Sequence, residues 1–269
     1  MQSPAERLIV GVAMDSAPNL VDAAVQEAER RDARVHVVHA TPPPVAVVPQ
    51  MDLGARMYDD WQAGQALVSE TRAEVARRLD VNVAKVSGGT LSTGVGRGLV
   101  ANSRLAGLMV LGRLKAGEPG GGGRRVAPGS VLAEVAARST YDLLVVPEEA
   151  DVRDEAVADG GVVVVEAGPV EGGAEPLMMR RAMRVADARG AAMSRLPLLL
   201  PVPAGGGVAR HDAAAAVDQT ALPKVAEAGM VVVLRPQRVP VLPPTVRAVI
   251  AAATCPVLVL SGDEAPRHP

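Results

Sequence analysis

Cysteine is almost missing from this chain: Cys255 is the single one in 269 residues. No internal disulfide can form, and no cysteine-based metal site can close. A reducing cytoplasm is the simple setting, and Cys255, which leads into an apolar run, reads as buried packing rather than as a reactive thiol. Aromatic residues are nearly as scarce, with no Phe, one Trp and two Tyr. Tyr58, Trp61 and Tyr141 are too few for a surface of stacked rings such as many single-strand nucleic-acid binders use. Neither sign of charge dominates: 28 Lys and Arg face 30 Asp and Glu, for a net charge of −2. The strong positive field of a general nucleic-acid binder is therefore not expected. No apolar run approaches the roughly 18–20 residues of a membrane helix, and Met1 to Arg7 lacks the charged-then-apolar order of an export signal. The expectation is a cytoplasmic protein with neither nucleic acid nor membrane as partner.

What is present is a folding composition, 48% hydrophobic and 22% charged. The length suits one large domain or two small ones. Short β-branched runs alternate with Ala-, Glu- and Arg-rich stretches of ten or more residues. Leu8 to Ala13 reads as a buried strand. Asp15, Ser16 and Pro18 then mark a turn and helix start, and Asn19 to Arg31 forms an amphipathic helix with Val21, Ala24, Val25 and Ala28 on one face. Val35 to Ala40 is a second strand, ended by Pro42 to Pro44. A loop with Met51 and Tyr58 leads to a helix ending near Asp80. Val81 to Val86 is a weak third strand and Val95 to Leu105 a short helix. Leu108 to Leu111 is a strand that Gly112 ends. A helix from Ser130 to about Ser139 and a strand Leu143 to Val146 complete the unit. Continuous apolar strands bounded by helices imply a parallel sheet covered on both faces. Glu148 to Gly160, rich in charge, reads as a linker.

The remainder reads as a worn copy of the first part. Val162 to Val165 is a strand, Pro176 to Arg189 a helix and Leu198 to Val202 a second strand. Asp187-Ala188-Arg189 echoes Asp32-Ala33-Arg34. Ala228 to Val232 echoes Ala106 to Val110, and Thr254 to Leu260 echoes Thr140 to Val146. The offsets shrink along the chain, from 155 to 122 to 114 residues, as if loops had been lost. Echoes in the same order point to tandem duplication. Each copy ends in an apolar strand whose bare edge is a liability, so the copies are expected to pair within the chain or between chains, as a pseudo-dimer or a homodimer.

One loop carries most of the chemistry. Leu108 to Val131 leaves the carboxyl end of a strand and returns at a helix start, which is where ligands bind in open parallel sheets. Glycines at 112, 117, 120–123 and 129 allow positive φ and close approach of amides to an anion. Gly129 and Ser130 stand at a helix amino end, which favours negative charge, and Ser130 can cap that helix or bond a phosphate oxygen. Arg113, Lys115, Arg124 and Arg125 outweigh Glu118, a balance suited to polyphosphate. The loop is neither a P-loop nor a Gly-x-Gly-x-x-Gly turn.

Several residues carry little. His36 and His39 lie three apart on a strand and so face opposite sides. His211-Asp212 and His268 have no partner implied by sequence. Met178, Met179 and Met183 read as core. No nucleophile elbow or metal constellation stands out, so hydrolysis, if any, would be slow.

In Leu8 to Asp15, Val37-Val38-His39-Ala40, Leu111-Gly112, Gly129-Ser130-Val131 and both closing strands the chain resembles the universal stress protein family. The resemblance covers nearly all of Leu8 to Pro147 and, more faintly, Gly161 to Ser261. It implies an α/β fold of two doubly wound, Rossmann-like parallel-sheet units in tandem, spanning 1–150 and 160–263, with five parallel strands in a complete unit. In the nucleotide-binding branch it implies ATP or AMP, with or without Mg2+. Val12, Asp15 and Ala40 would line base and ribose. Leu111, Gly112, Gly117, Gly120, Gly129, Ser130 and Val131 would hold phosphates, and Arg124 and Arg125 would balance charge.

Three departures stand against that. The family's strand-end Asp falls on Ala13, and Asp15, two residues late, either substitutes or caps the helix. Gly112 to Gly129 spans 17 residues, about four more than the family spacing, and the best internal match is Gly117-x2-Gly120-x8-Gly129-Ser130. In the second copy Leu234 stands in place of Gly112 and Pro243-Pro244-Thr245 in place of Gly129-Ser130-Val131, so no amide cradle is expected there. Glu166, near the acidic position of that copy, reads as solvated. The leading reading is a stress or regulatory protein that binds an adenine nucleotide in its first unit. A nucleotide-free scaffold on the same fold and a pathway enzyme that consumes ATP remain alternatives.

Overall fold

The computed structural model describes residues 6–14, 16, 18–40, 53–91, 95–103, 106–113, 131–166, 175–197, 221–235 and 242–261. The chain order is β1 (Arg7–Val12), α1 (Pro18–Arg31), β2 (Arg34–Ala40), α2 (Leu53–Arg78), β3 (Ser87–Leu91), α3 (Val95–Ser103), β4 (Leu108–Arg113), α4 (Val131–Arg138) and β5 (Asp142–Pro147). It continues with α5 (Asp154–Gly160), β6 (Val162–Glu166), α6 (Glu175–Asp187), β7 (Met193–Pro197), α7 (Ala221–Glu227), β8 (Met230–Arg235), α8 (Pro244–Ala252) and β9 (Val257–Ser261). All nine strands form one sheet in the order β3-β2-β1-β4-β5-β9-β8-β6-β7.

Side-chain alternation builds the layers. In a strand, successive residues face opposite sides. Leu8, Val10 and Val12 of β1 therefore share one core layer with Leu20, Ala24 and Ala28 of α1 and Val75 of α2, and the layer continues across the sheet to Met178 of α6. Ile9, Met109 and Leu111 point the other way, into a second layer with Leu99 of α3 and Val135 of α4 that continues across the sheet to Val249 of α8. Helices thus cover both faces, as continuous apolar strands require. The first five strands are parallel throughout, and β6 to β9 repeat the order with strand counterparts of β1, β2, β4 and β5.

The two blocks meet at β5 and β9, which run antiparallel with Leu143 opposite Val259, Leu144 opposite Leu258 and Val145 opposite Val257. Pairing removes both bare edges within one chain. The seam is two-fold symmetric about the Leu144–Leu258 pair. Arg113, at the end of β4, donates from Nη1 to the Ile250 carbonyl (3.1 Å) and the Ala251 carbonyl, and from Nη2 to the Ala253 carbonyl (2.7 Å), all at the end of α8. Arg235, at the end of β8, donates to the Ala136, Ala137 and Ser139 carbonyls at the end of α4. Each acceptor lies 114 positions from its counterpart, the offset that aligns the closing strands. This is the reciprocity of an isologous interface folded into one chain.

Four expectations are corrected. The third strand is Ser87–Leu91, and within Val81 to Val86 a 3-10 turn spans Val83–Lys85. Asn82 caps that turn by accepting from the Ala84 amide at 2.9 Å, and Val83 is exposed. Apolar content there misled, because a Gly-rich edge strand lies under α2, where a Cβ at Gly88 would come within 2.8 Å of Val68 Cγ1. In the trailing unit the strand beside β6 is Met193–Pro197, which pairs with it in parallel, and the expected strand Leu198 to Val202 lies outside the described residues. The supposed linker contains helix α5, held by buried Ala150, Val152 and Val157. Gly112 does not end its strand, since β4 runs on to Arg113 with Gly112 opposite Val146. Met183 is exposed rather than core, while Met178 is buried. The inward stripe of α1 also turns slightly, with Leu20, Ala23, Ala24 and Glu27 buried and Val21 only partly so.

Candidate functional site

The strand order reverses direction at β1: β2 lies on one side of it and β4 on the other. Ligands of open α/β sheets bind beyond the carboxyl ends of the strands at such a point. Val12, Ala40 and Leu111-Gly112 are brought together there. Val12 lies opposite His39, next to Ala40 in β2, and Gly11 opposite Leu111. Val12 and Leu111 are buried, and Ala40 and Gly112 are half-buried.

The two glycines at this rim differ in kind. A Cβ at Gly11 would stand 2.4 Å from Leu111 Cδ2, so a larger residue there would have to push the Leu111 side chain aside. A Cβ at Gly112 would meet only Leu20 Cδ2, at an ordinary 3.7 Å. Among the described residues, none but Leu20 comes near a side chain placed at 112. Its φ is not positive among the described residues, so close approach rather than left-handed backbone is what glycine offers at 112.

His39 fixes the floor of this rim. Its Nδ1 lies 2.9 Å from the Val12 carbonyl, where the protonated nitrogen donates and ties the ends of β1 and β2 together. The ring is buried, and a Cβ at Gly64 of α2 would come within 2.6 Å of its Cδ2. His36 faces the other side of the sheet and bonds Ser87 Oγ at 2.7 Å, and burial with nearby Arg7 and Arg72 pushes its pKa down to about 4. The turn after β1 is closed by Ser16, whose Oγ accepts from the Ala13 amide (2.8 Å) and whose own amide donates back to the Ala13 carbonyl (3.0 Å).

Asn19 was not singled out by sequence, yet its Nδ2 donates to the carbonyls of Pro147, Glu148 and Ala150 at 2.8, 3.1 and 2.9 Å. It pins the segment after β5 to the start of α1. Its place just behind Pro18 at a helix start was the only clue. A cleft of about 670 Å³ opens beside it, walled by Asp22, Arg78, Asp151 and Arg153. These charges pair among themselves, Asp22 with Arg78 and Asp151 with Arg153.

Arg113 is taken out of the predicted phosphate set. Its guanidinium is turned to the end of α8 and to Glu149 Oε1 at 3.2 Å, so it does not add positive charge over the rim. A helix carboxyl end attracts a cation by its dipole, and three carbonyls satisfy a planar fork that a phosphate would otherwise compete for. Asp15, Lys115, Gly117, Gly120, Arg124, Arg125, Gly129 and Ser130 lie outside the described residues, as do His211 and His268. Val131 opens α4 and is exposed. In the trailing unit Leu234 is fully buried where Gly112 stands in the first, and α8 starts with Pro243 as cap and Pro244 as first residue. Neither proline has an amide to offer an anion. Cys255 is buried with its thiol pushed up to about 12 by burial, the packing role expected of it. Among the described residues no helix is long and apolar enough to cross a membrane.

A doubly wound parallel sheet, with an open rim at its reversal point and a glycine-rich exit from β4, defines the class: a Rossmann-like α/β protein. The family model of the universal stress protein family matches residues 4–147, and the chain belongs to that family. Among solved structures, it is similar to a universal stress protein from Archaeoglobus fulgidus DSM 4304, with 12% identity, 96% of each chain covered and a TM-score of 0.61. It is also similar to a putative universal stress protein from Pseudomonas aeruginosa UCBPP-PA14, with 14% identity, 98% of this chain and 95% of that one covered, and a TM-score of 0.54. A universal stress protein in complex with cAMP is 25% identical, with 54% of this chain and 99% of that one covered and a TM-score of 0.37. No curated protein matches.

Proposed function

We propose that the leading unit, residues 1–150, binds an adenine nucleotide, ATP or AMP, and that the trailing unit, residues 160–263, is a degenerate copy that binds none. The carrying observation is the rim at Gly112: the strand ends of β1, β2 and β4 stand side by side, and among the described residues only Leu20 approaches the glycine, at an ordinary contact distance. Base and ribose would lie against Val12, Asp15 and Ala40. Phosphates would meet the amides of Gly112, Gly117, Gly120, Gly129 and Val131, the Ser130 hydroxyl, and the charges of Arg124 and Arg125, with or without Mg2+ riding on the triphosphate. Family membership supports the reading. The role is regulatory or stress-related, in the cytoplasm, with slow hydrolysis at most.

Isothermal titration of ATP into the wild type and into Ser130→Ala tests this. Saturable heat in the wild type that is lost or sharply weakened in the variant is the expected result. Mass spectrometry of nucleotide released on denaturing the purified protein identifies ATP or AMP. A second reading, a nucleotide-free scaffold, is favoured by the engagement of Arg113 at α8 and by Ala13 in place of an acid. It predicts no heat at millimolar ATP.

A further inference from the structure

We propose that the trailing unit acts as a built-in positioning subunit for the nucleotide site of the leading unit, through Arg235. The proposal rests on the nucleotide reading above for its consequence, and on the seam for its mechanism. Arg235 is 1% exposed, among the most deeply buried large side chains of the described residues. Its Nη1 donates to the Ala136 and Ala137 carbonyls at 2.9 and 2.7 Å, and its Nη2 to the Ser139 carbonyl at 2.5 Å and to Ser261 Oγ at 3.0 Å. These carbonyls are the ones a helix end leaves without internal partners, and they carry the negative end of the helix dipole. A buried guanidinium there is compensated by the peptide groups it holds.

The helix so held is α4, whose amino end, Val131, follows directly on Gly129-Ser130 of the loop that would hold phosphates. With eight residues, α4 is about 12 Å long and too short to be stable alone. Its direction is therefore set from outside, by burial of Ala133, Val135, Ala136 and Ala137 and by the grip on its carboxyl end. A rigid rod gripped at one end points accurately at the other. The reciprocal grip of Arg113 on α8 has no such consequence, because α8 begins with prolines and Leu234 fills the place of Gly112. The interface is symmetric, and its use is one-sided. Extending the Ala106–Ala228 echo at the 122-residue offset already aligns Arg113 with Arg235, so the pair was present in the sequence as an unread signal.

The test compares Arg235→Met and Arg235→Lys with Val232→Ala, a truncation at a fully buried position of the same strand that leaves the grip intact. Three quantities are read in the full chain: the unfolding midpoint in urea, amide hydrogen exchange of Val135 to Arg138, and ATP affinity by titration. Arg235→Met is expected to speed exchange in α4 more than in α8 and to weaken ATP on the order of tenfold, the usual size of coupling between sites. Arg235→Lys, which keeps the charge and can reach fewer carbonyls, restores part of both and stands in should the Met variant not fold. Val232→Ala loses stability and changes neither. Exchange in α4 and ATP affinity that merely track the stability of Val232→Ala overturn the proposal. Absence of ATP binding in the wild type overturns the nucleotide reading instead, and the exchange data still judge the grip: faster exchange confined to α4 supports it, and unchanged exchange refutes it.

Discussion

Glu27 of α1 is 4% exposed and sits among three arginines. Its Oε1 accepts from Arg30 Nη1 at 2.6 Å and from Arg189 Nη2, and its Oε2 accepts from Arg31 Nε at 3.1 Å. Arg189 follows α6, so this bond ties the leading block to the trailing one. Burial lowers the pKa of Arg189, and Glu27 opposes that by favouring the charged form. Replacing Glu27 by Leu removes the compensating charge and strands a guanidinium whose side chain is 4% exposed. Breaking one side of a buried pair costs about 3–5 kcal/mol, because the remaining charge is left unpaired. At this chain length that lowers the melting midpoint by roughly 5–9 °C. Arg189→Met leaves Glu27 with Arg30 and Arg31, and costs about 1–2 kcal/mol. The double variant Glu27→Leu/Arg189→Met removes both partners and is expected to be more stable than Glu27→Leu alone. Equilibrium urea unfolding of the four proteins gives the coupling directly. Additive losses, or a cost below about 1 kcal/mol for Glu27→Leu, would refute the claim that this carboxylate neutralises a buried inter-block charge.

Two further outcomes follow from local geometry. Gly229→Ala should destabilise by roughly 1–3 kcal/mol in urea unfolding, because a Cβ there would stand 2.6 Å from the Ala156 carbonyl and from Val157 backbone atoms, which cannot move aside as a side chain can. Cys255, with its thiol pushed up to about 12, should resist iodoacetamide at pH 8 in the folded protein and react fully in urea; rapid labelling of the native state would show that the segment between α8 and β9 is less protected than its burial implies.

The strands that carry the core were readable because their signal is local. LIVGVA, LMVL and LLVV are apolar in unbroken runs, as strands covered on both faces must be, and the ordered echoes in the second half reflect a repeat that still folds alike. The rim was readable in outline for the same reason: a glycine closing an apolar run needs no tertiary context to be noticed, although β4 itself runs on through it to Arg113. Where local signal was weak, neighbours decided. Ser87–Leu91 is poor in apolar residues and becomes a strand because β2 offers it an edge and α2 covers it. Glu148 to Gly160 looks like a linker until three apolar residues among its charges find a core to enter.

Charge was the least legible of all. Arg113 reads in sequence as one more cation in a basic loop, and Arg235 reads as nothing in particular. The residues that hold them are 137 and 99 positions away, carbonyls of helices in the opposite block. A backbone carbonyl has no sequence signature, and a long side chain can turn toward any acceptor within its reach. Composition and periodicity therefore determined the layers, ordered echoes pointed to the repeat, and a few motif residues carried the resemblance to the family. Which arginines face an incoming anion and which lock the two blocks together was decided only when β5 and β9 paired and brought distant helix ends within hydrogen-bond range.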